Sequence, residues 1–356
     1  MSLKSLKKKK NQKRINSYEK NQASFILINT TQTTLTSSQL IQYLHKNKVY
    51  ANYIYAPKNG AELYSSKDLE LIKKEIKSSQ IIGLSSFSIS ENRTFQLAEY
   101  IKKIYPDKHI VIGGPNAIMN PLGVLTKSKA DSVCIYEGEI PLMNLIMHKD
   151  KKNIQGIWFK GKGKIIKNDY QKPLQSLNNL GFENYKNSKY GFYKKLTSRG
   201  FVSEKTMGEK INNPCMHGNF LYMITMRGCL FNCSYCINHR LNEINHKTGS
   251  KILRKKSIGN IIKDLKEGLK DEDKIEKIFF FDDDFFVRTE QELEEFANEY
   301  KKEINLPFMV FANPLSMTEK KIDFAVKAGM DSIEFGLQTI SADTLKRYNR
   351  HLERKR

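Results

Sequence analysis

The sequence predicts an α/β protein in two parts: a doubly wound, Rossmann-like parallel sheet, then an incomplete second series of βα units. Three observations carry this expectation. Short apolar runs alternate with helical periods from Ser24 to residue 150, the rhythm breaks over 151–220, and it resumes at Leu221. The expected divisions are a basic tail at 1–20, a first domain at 21–150, a connector at 151–220 and a second domain at 221–356.

In the first domain, Phe25–Ile28, Ala51–Tyr55, Ile81–Leu84, His109–Ile112 and Ser132–Ile135 are apolar runs short enough for buried strands. Between them, Ser37–Lys46, Leu69–Ile76 and Thr94–Ile104 repeat apolar residues at helical spacing, as at Leu40, Ile41 and Leu44. Cys134 falls inside the last strand and reads as a small buried hydrophobe. The connector opens with a hairpin, Ile154–Phe159 and Lys164–Lys167 around Gly161-Lys-Gly163, and is expected to pack on both neighbours. Cys215 and His217 lie within it as unrelated loop residues. In the second domain, strands are expected at Leu221–Met226, Ile278–Phe281, Phe308–Ala312 and Ile333–Gly336. Helices are expected at Ile258–Leu269, Glu290–Ile304, Glu319–Ala328 and Ala342–Arg347.

Composition excludes several classes. With 356 residues, 39% of them hydrophobic, the chain can build real cores, which rules out wholesale disorder. It has no run of about eighteen apolar residues, so no membrane span is expected. The basic first ten residues are followed by no apolar stretch of the secretory kind, so the sequence predicts no secretory signal and a cytoplasmic protein. Five Cys, three of them clustered, do not suit a disulfide framework. The net charge of +22 invites a nucleic-acid reading. Eight Lys/Arg against one acid stand in residues 1–20, however, and the remaining lysines are spread over helix faces. That spread argues against a specific nucleic-acid footprint.

The decisive stretch is Arg227-Gly228-Cys229-Leu-Phe-Asn-Cys233-Ser-Tyr235-Cys236. Spacing C-x3-C-x2-C lets three thiolates on one loop converge on a single cluster, leaving one iron of a four-iron cube open to substrate or cofactor. A zinc site would need a fourth ligand, which His239 could supply, but structural zinc sites usually pair two separated couples.

This motif resembles the signature of the radical S-adenosylmethionine (SAM) superfamily, C-x3-C-x-aromatic-C, with Tyr235 in the aromatic place. The resemblance implies that Cys229, Cys233 and Cys236 hold a [4Fe–4S] cluster whose open iron is chelated by SAM, and that one-electron reduction yields a 5′-deoxyadenosyl radical. Phe281-Asp282-Asp283-Asp284-Phe285 resembles the family's SAM-contacting segment, which implies that Asp282 and Asp283 meet the SAM ammonium. Glu334-Phe-Gly336-Leu-Gln338 resembles the ribose segment, with Gln338 where Glu is usual. Arg254 resembles an Arg that often follows the cluster loop and reads equally as a surface charge.

The first domain, with Ser85, Gly113-Gly114-Pro115 and Glu137-Gly138-Glu139, is similar to the cobalamin-binding domain of B12-dependent radical SAM proteins. Ile154-Gln-Gly-Ile157 and Pro173-Leu-Gln-Ser-Leu177 resemble their inter-domain segments. Cobalamin is therefore implied, with Ser85, Gly113, Gly114 and Glu137 facing it. The loop after the first strand, Asn29-Thr-Thr-Gln-Thr-Thr-Leu35, lacks the His that ligates cobalt in many such domains.

The resemblance implies an enzyme that transfers methyl to an unactivated carbon of a small-molecule or lipid-like substrate, fed by an electron donor such as flavodoxin or ferredoxin. A cyclase or rearrangement enzyme of the same family is the alternative. A methylthiotransferase would need three further cluster cysteines in the first domain, where only Cys134 stands. Six βα units are implied and four are present, so an enzyme truncated at its C-terminus, or a non-catalytic cobalamin- or SAM-binding remnant, is a further expectation.

Overall fold

A strand covered on both faces needs an unbroken apolar run, and β1 (Phe25–Asn29) is such a run, with all five residues buried. The computed structural model describes residues 25–30, 35–148, 153–181, 193–197, 200–202, 216–217, 219–270 and 275–350; the expected basic tail, Cys215 and residues 351–356 lie outside these. β1 leads through α1 (Leu35–Lys46) to β2 (Ala51–Tyr55), then α2 (Ser66–Ile76), β3 (Ile81–Ser85), α3 (Glu91–Ile104) and β4 (His109–Gly113). Two short helices, α4 (Pro115–Met119) and α5 (Pro121–Lys127), precede β5 (Ser132–Cys134) and α6 (Glu139–Met147).

β1 pairs in parallel with both β2 and β3, and β3, β4 and β5 continue the parallel order. The direction of winding therefore reverses between β1 and β3, and the carboxyl ends of the strands there form a crevice suited to a ligand. Alternation along the strands feeds two cores. Ile26, Ile28, Ile82 and Leu84 pack with Ile72 and Leu97 of α2 and α3. Phe25, Leu27 and Ile81 pack with Ile41 of α1 and Leu145 of α6. This is the doubly wound sheet expected from the sequence. Cys134 is buried as expected, and burial pushes its thiol up to about 12.

Residues 151–220 do more than connect. β6 (Ile157–Lys160) and β7 (Ile165–Ile166) add antiparallel strands beyond β5, and β8 (Tyr193–Thr197) with β9 (Gly200–Val202) extends the other edge beyond β2. Among the described residues the first sheet thus reaches nine strands. An exposed edge is a pairing hazard, and Ile157 and Phe159 cover the three-residue β5 while completing the core below α6.

The second sheet has five strands among the described residues. β10 (Met216–His217) is antiparallel to β11 (Phe220–Met223). After β12 (Met226–Arg227), α7 (Ile237–Lys247), β13 (Arg254–Lys255) and α8 (Ile258–Leu269), β14 (Lys277–Phe280) lies parallel to β11. α9 (Glu290–Glu303), β15 (Phe308–Phe311), α10 (Glu319–Ala328), β16 (Met330–Glu334) and α11 (Ala342–Arg347) follow. β14, β15 and β16 are parallel in chain order, and the described strands close no barrel. Ile278, Phe280, Phe308 and Val310 pack under Ile261, Leu265, Phe296 and Tyr300.

The strand expected at Leu221–Met226 is split. Its first part stays in the sheet as β11; Met226 and Arg227 peel away to pair with β13. Thr225 marks the break: it is fully buried and its amide is held by Asp282 at 2.6 Å.

Candidate functional site

The three thiols stand on the loop between β12 and α7. Gly228 opens it with φ +100, and a Cβ there would lie 2.0 Å from the Ile252 carbonyl oxygen, so only glycine fits. Cys236 closes the loop as the residue before α7, its amide donating to the Cys233 carbonyl at 3.0 Å. From inside α7 the buried Asn242 side chain donates to the Cys229 carbonyl at 3.0 Å and to Asn232 Oδ1 at 2.7 Å. The loop is therefore strapped to its own helix.

Cys229, Cys233 and Cys236 are free thiols, Cys233 buried and the others half-buried. Burial, with the nearby Asp283 charge in the same direction, pushes Cys229 up to about 12 and raises Cys236. Such thiols ionise at neutral pH only against a bound cation. Among the described residues, no three His, Cys, Asp or Glu side chains gather where one metal ion would sit. His239 instead faces Glu243 at 3.6 Å. A single zinc would draw its sulfurs to about 3.8 Å of each other, whereas each thiolate of a four-iron cube holds a different iron. The donor set suits the cube.

The acids after β14 divide by direction. Asp282 is fully buried; it accepts from the Thr225 amide, from Thr225 Oγ1 at 2.5 Å and from the Met226 amide at 2.9 Å, with Arg288 Nη1 3.7 Å away. Burial raises its pKa, and Arg288 and Thr225 offset only part of that. It holds the root of the cluster loop and is not presented to a ligand, which departs from the expectation that Asp282 and Asp283 share one role. Asp283 is exposed, and its charge acts on Cys229 and Cys236. Asp284 turns inward again, accepting from Ser316 Oγ at 2.8 Å, with burial pushing it up to about 6.

The segment after β16 returns to the same loop. The Ser234 amide donates to the Tyr348 carbonyl at 2.9 Å, Asn349 Nδ2 to the Asn232 carbonyl at 3.1 Å, and Arg350 Nη1 lies 3.7 Å from Cys233 Sγ. Tyr235, 47% exposed, meets Tyr348 edge-on at 5.1 Å. Arg350 is buried, and its Nε has no partner among the described residues. Sequence reasoning missed it as one charge in a basic stretch. Gln338 is exposed on the loop after β16 with φ +66, in the left-handed region.

At the carboxyl end of the first sheet, Ser85 and Gly113 are half-buried on neighbouring strands. Gly114 is required by the protein itself: φ is +96, and a Cβ would stand 2.7 Å from the Ser86 carbonyl oxygen. Ile89 and Met119, on the segments that follow β3 and β4, are 63% and 56% exposed. Glu137 departs from expectation. It receives Arg254 and Arg227 in ion pairs instead of facing the crevice. Burial alone would raise its pKa, but Arg227 and Arg254 outweigh that and hold it below the ordinary carboxylate range. Arg254, read equally as a surface charge, is 2% exposed.

Comparison with known proteins agrees with this geometry. Residues 223–356 match the Radical SAM superfamily. An uncharacterized methyltransferase of Pyrococcus horikoshii is 22% identical over 272 residues, which cover 75% of this chain and 53% of the relative. Two structures of TsrM, a radical S-adenosylmethionine methyltransferase of Kitasatospora setae, superpose with TM-scores of 0.66 and 0.64 at 13% identity. One holds tryptophan and a SAM analog, the other cobalamin and a [4Fe–4S] cluster; each alignment covers 91% of this chain and about three-fifths of TsrM. The chain thus spans about half the length of the curated relative. Its fold is like that of the part of TsrM it aligns with, a doubly wound sheet and a parallel βα series, and residues 223–356 match the radical SAM superfamily.

Proposed function

We propose that this protein is a radical SAM methyltransferase that uses cobalamin and acts on a small molecule. The observation that carries the reading is the cluster loop itself: three free thiols, a glycine that only this turn demands, and an exposed Asp283 beside them at the carboxyl end of parallel strands. When bound, the [4Fe–4S] cluster with SAM supplies one-electron radical chemistry and cobalamin supplies methyl transfer. Cys229, Cys233 and Cys236 hold the cluster. Asp283 offers a carboxylate to the SAM ammonium, and Arg350, 3.7 Å from Cys233 Sγ, offers a cation to the SAM carboxylate. Asn242 holds the loop backbone in place at the Cys229 carbonyl, and the three thiolates would be the ligands of the cluster. Ser85 and Gly113, register partners at the carboxyl ends of β3 and β4, are offered to the corrin, and the loop after β1 contributes no His to cobalt. A low-potential donor such as flavodoxin or ferredoxin feeds the electron.

Anaerobic reconstitution of the chain with iron and sulfide, then hydroxocobalamin, tests the reading by its absorption spectrum. Bound iron and SAM cleavage are expected, and both should vanish in Cys229→Ala, Cys233→Ala and Cys236→Ala while Cys134→Ala keeps them. SAM cleavage by the Cys233 variant at the parent rate would refute the assignment.

A further inference from the structure

Arg227 and Arg254 stand directly opposite each other as register partners of β12 and β13. Like charges facing across a ladder repel, and both are withdrawn from water, with side chains 13% and 1% exposed. One carboxylate resolves the repulsion. Glu137 Oε2 accepts from Arg254 Nη1 at 2.8 Å and from Arg227 Nη1 at 3.0 Å, while Oε1 takes Arg254 Nη2. The other fork of Arg227 reaches Glu139 at 2.7 Å and Gln39 at 2.9 Å. Two positive and two negative groups therefore close a neutral cluster.

The placement matters as much as the charge. β12 and β13 frame the cluster loop, since Arg227 immediately precedes Gly228 and Cys229, and Arg254 follows α7. Glu137, Glu139 and Gln39 all belong to the first sheet's side, after β5, on α6 and on α1. The Tyr136 hydroxyl adds a second link, donating to Asn245 of α7 at 2.9 Å.

We propose that Glu137 is a positioning residue for the cluster loop: by sitting between Arg227 and Arg254 it keeps the β12–β13 pair closed and fixes Cys229 relative to the carboxyl end of the first sheet. Without it, two buried guanidinium groups face each other with one charge uncompensated, and the pair must open toward water. Glu139 is the lesser partner, because its loss leaves Glu137 between the arginines. What the thiols hold rests on the function proposed above; the clamp is a property of the chain without any cofactor.

The full chain is alkylated with iodoacetamide before cluster loading, and rates at Cys229 and at buried Cys134 are read by mass spectrometry. Glu137→Gln should raise the Cys229 rate roughly tenfold with Cys134 unchanged, as local opening predicts. Glu139→Gln should change it less than about threefold. The exchanged pair Glu137→Arg with Arg254→Glu should return Cys229 to near its parent rate and, after loading with iron and sulfide, restore the parent paramagnetic resonance spectrum that Glu137→Gln shifts. A parent rate at Cys229 in Glu137→Gln overturns the proposal, as does a rise matched at Cys134. If Glu137→Gln does not fold, the exchanged pair decides: parent reactivity supports the clamp, and fast Cys229 with slow Cys134 overturns it. The expected alkylation pattern in a chain that binds no iron would leave the clamp standing and remove the cluster reading.

Discussion

Two acidic segments follow parallel strands in this protein, Glu137-Gly138-Glu139 after β5 and Asp282-Asp283-Asp284 after β14. In sequence they invite one reading, carboxylates offered to a cofactor. In the structure they differ. Both acids of the first segment are taken by Arg227 and Arg254, which arrive from the β12–β13 pair. The second continues the alternation of its strand, so Asp282 and Asp284 turn inward and Asp283 alone faces out. An acid at a strand end is a ligand group only when the fold has not already given it a partner.

The largest effect expected from this contrast is at Asp282. Asp282→Ala leaves Arg288, 1% exposed, without its carboxylate and frees the Thr225 and Met226 amides, at a cost of about 3–5 kcal/mol. Guanidinium denaturation should show that loss, with Asp282→Asn losing about half as much. A change under about 0.5 kcal/mol would mean that Asp282 is not structural and would restore it as a ligand candidate.

Asp284 comes next, and its effect depends on pH. Its folded pKa of about 6 lies above the ordinary 3.8, so the folded chain binds the proton more tightly. The associated stability is fully present below pH 3.8 and is lost as pH rises through about 6. Over that window the parent should lose up to about 3 kcal/mol from this group. Asp284→Asn keeps an acceptor for Ser316 and the Asn313 amide but has no charge to bury, so its stability should vary less between these pH values. Equal slopes in parent and variant would show that the carboxylate is solvated.

Arg254→Lys tests the other segment more gently. Lysine reaches one oxygen of Glu137 where arginine holds both, and a loss of about 1–2 kcal/mol is expected in the same denaturation assay. No loss would mean that charge alone, not the fork, holds the clamp.

The legibility of the sequence follows the same division between local and distant causes. Strands β1 to β5 were readable because each is a short apolar run covered on both faces. The cysteine spacing was readable because eight consecutive residues contain it. The Glu137 cluster was not, since Arg227 and Arg254 lie far along the chain and only the fold brings them in. The split of Leu221–Met226 depends on Asp282, which is equally distant. β8 is hidden in the sequence because Lys194 and Lys195 interrupt any apolar run, and β9 because it is only three residues long. α7 did carry a signal, with Ile237, Leu241 and Ile244 at helical spacing after the last cysteine. Inward-turning Asp282 and Asp284 could have been read from alternation, since Ile278 and Phe280 share their face.

The smallest effect on stability, and the most informative for function, is expected at Asp283. Its side chain is exposed and has no described hydrogen-bond or ion-pair partner, so Asp283→Asn should change unfolding free energy by less than about 0.5 kcal/mol. Its charge nevertheless acts on Cys229 and Cys236. Two consequences follow for the reconstituted protein. A carboxylate beside the cluster disfavours adding an electron, so its removal should move the midpoint potential in the positive direction. Loss of a charge-assisted hydrogen bond to an ammonium should weaken SAM binding roughly tenfold. Asp282→Asn, whose carboxylate is sealed from solvent, should lose stability instead. A potential and a SAM affinity both unchanged in Asp283→Asn would show that the outward acid, like the inward two, serves the fold alone.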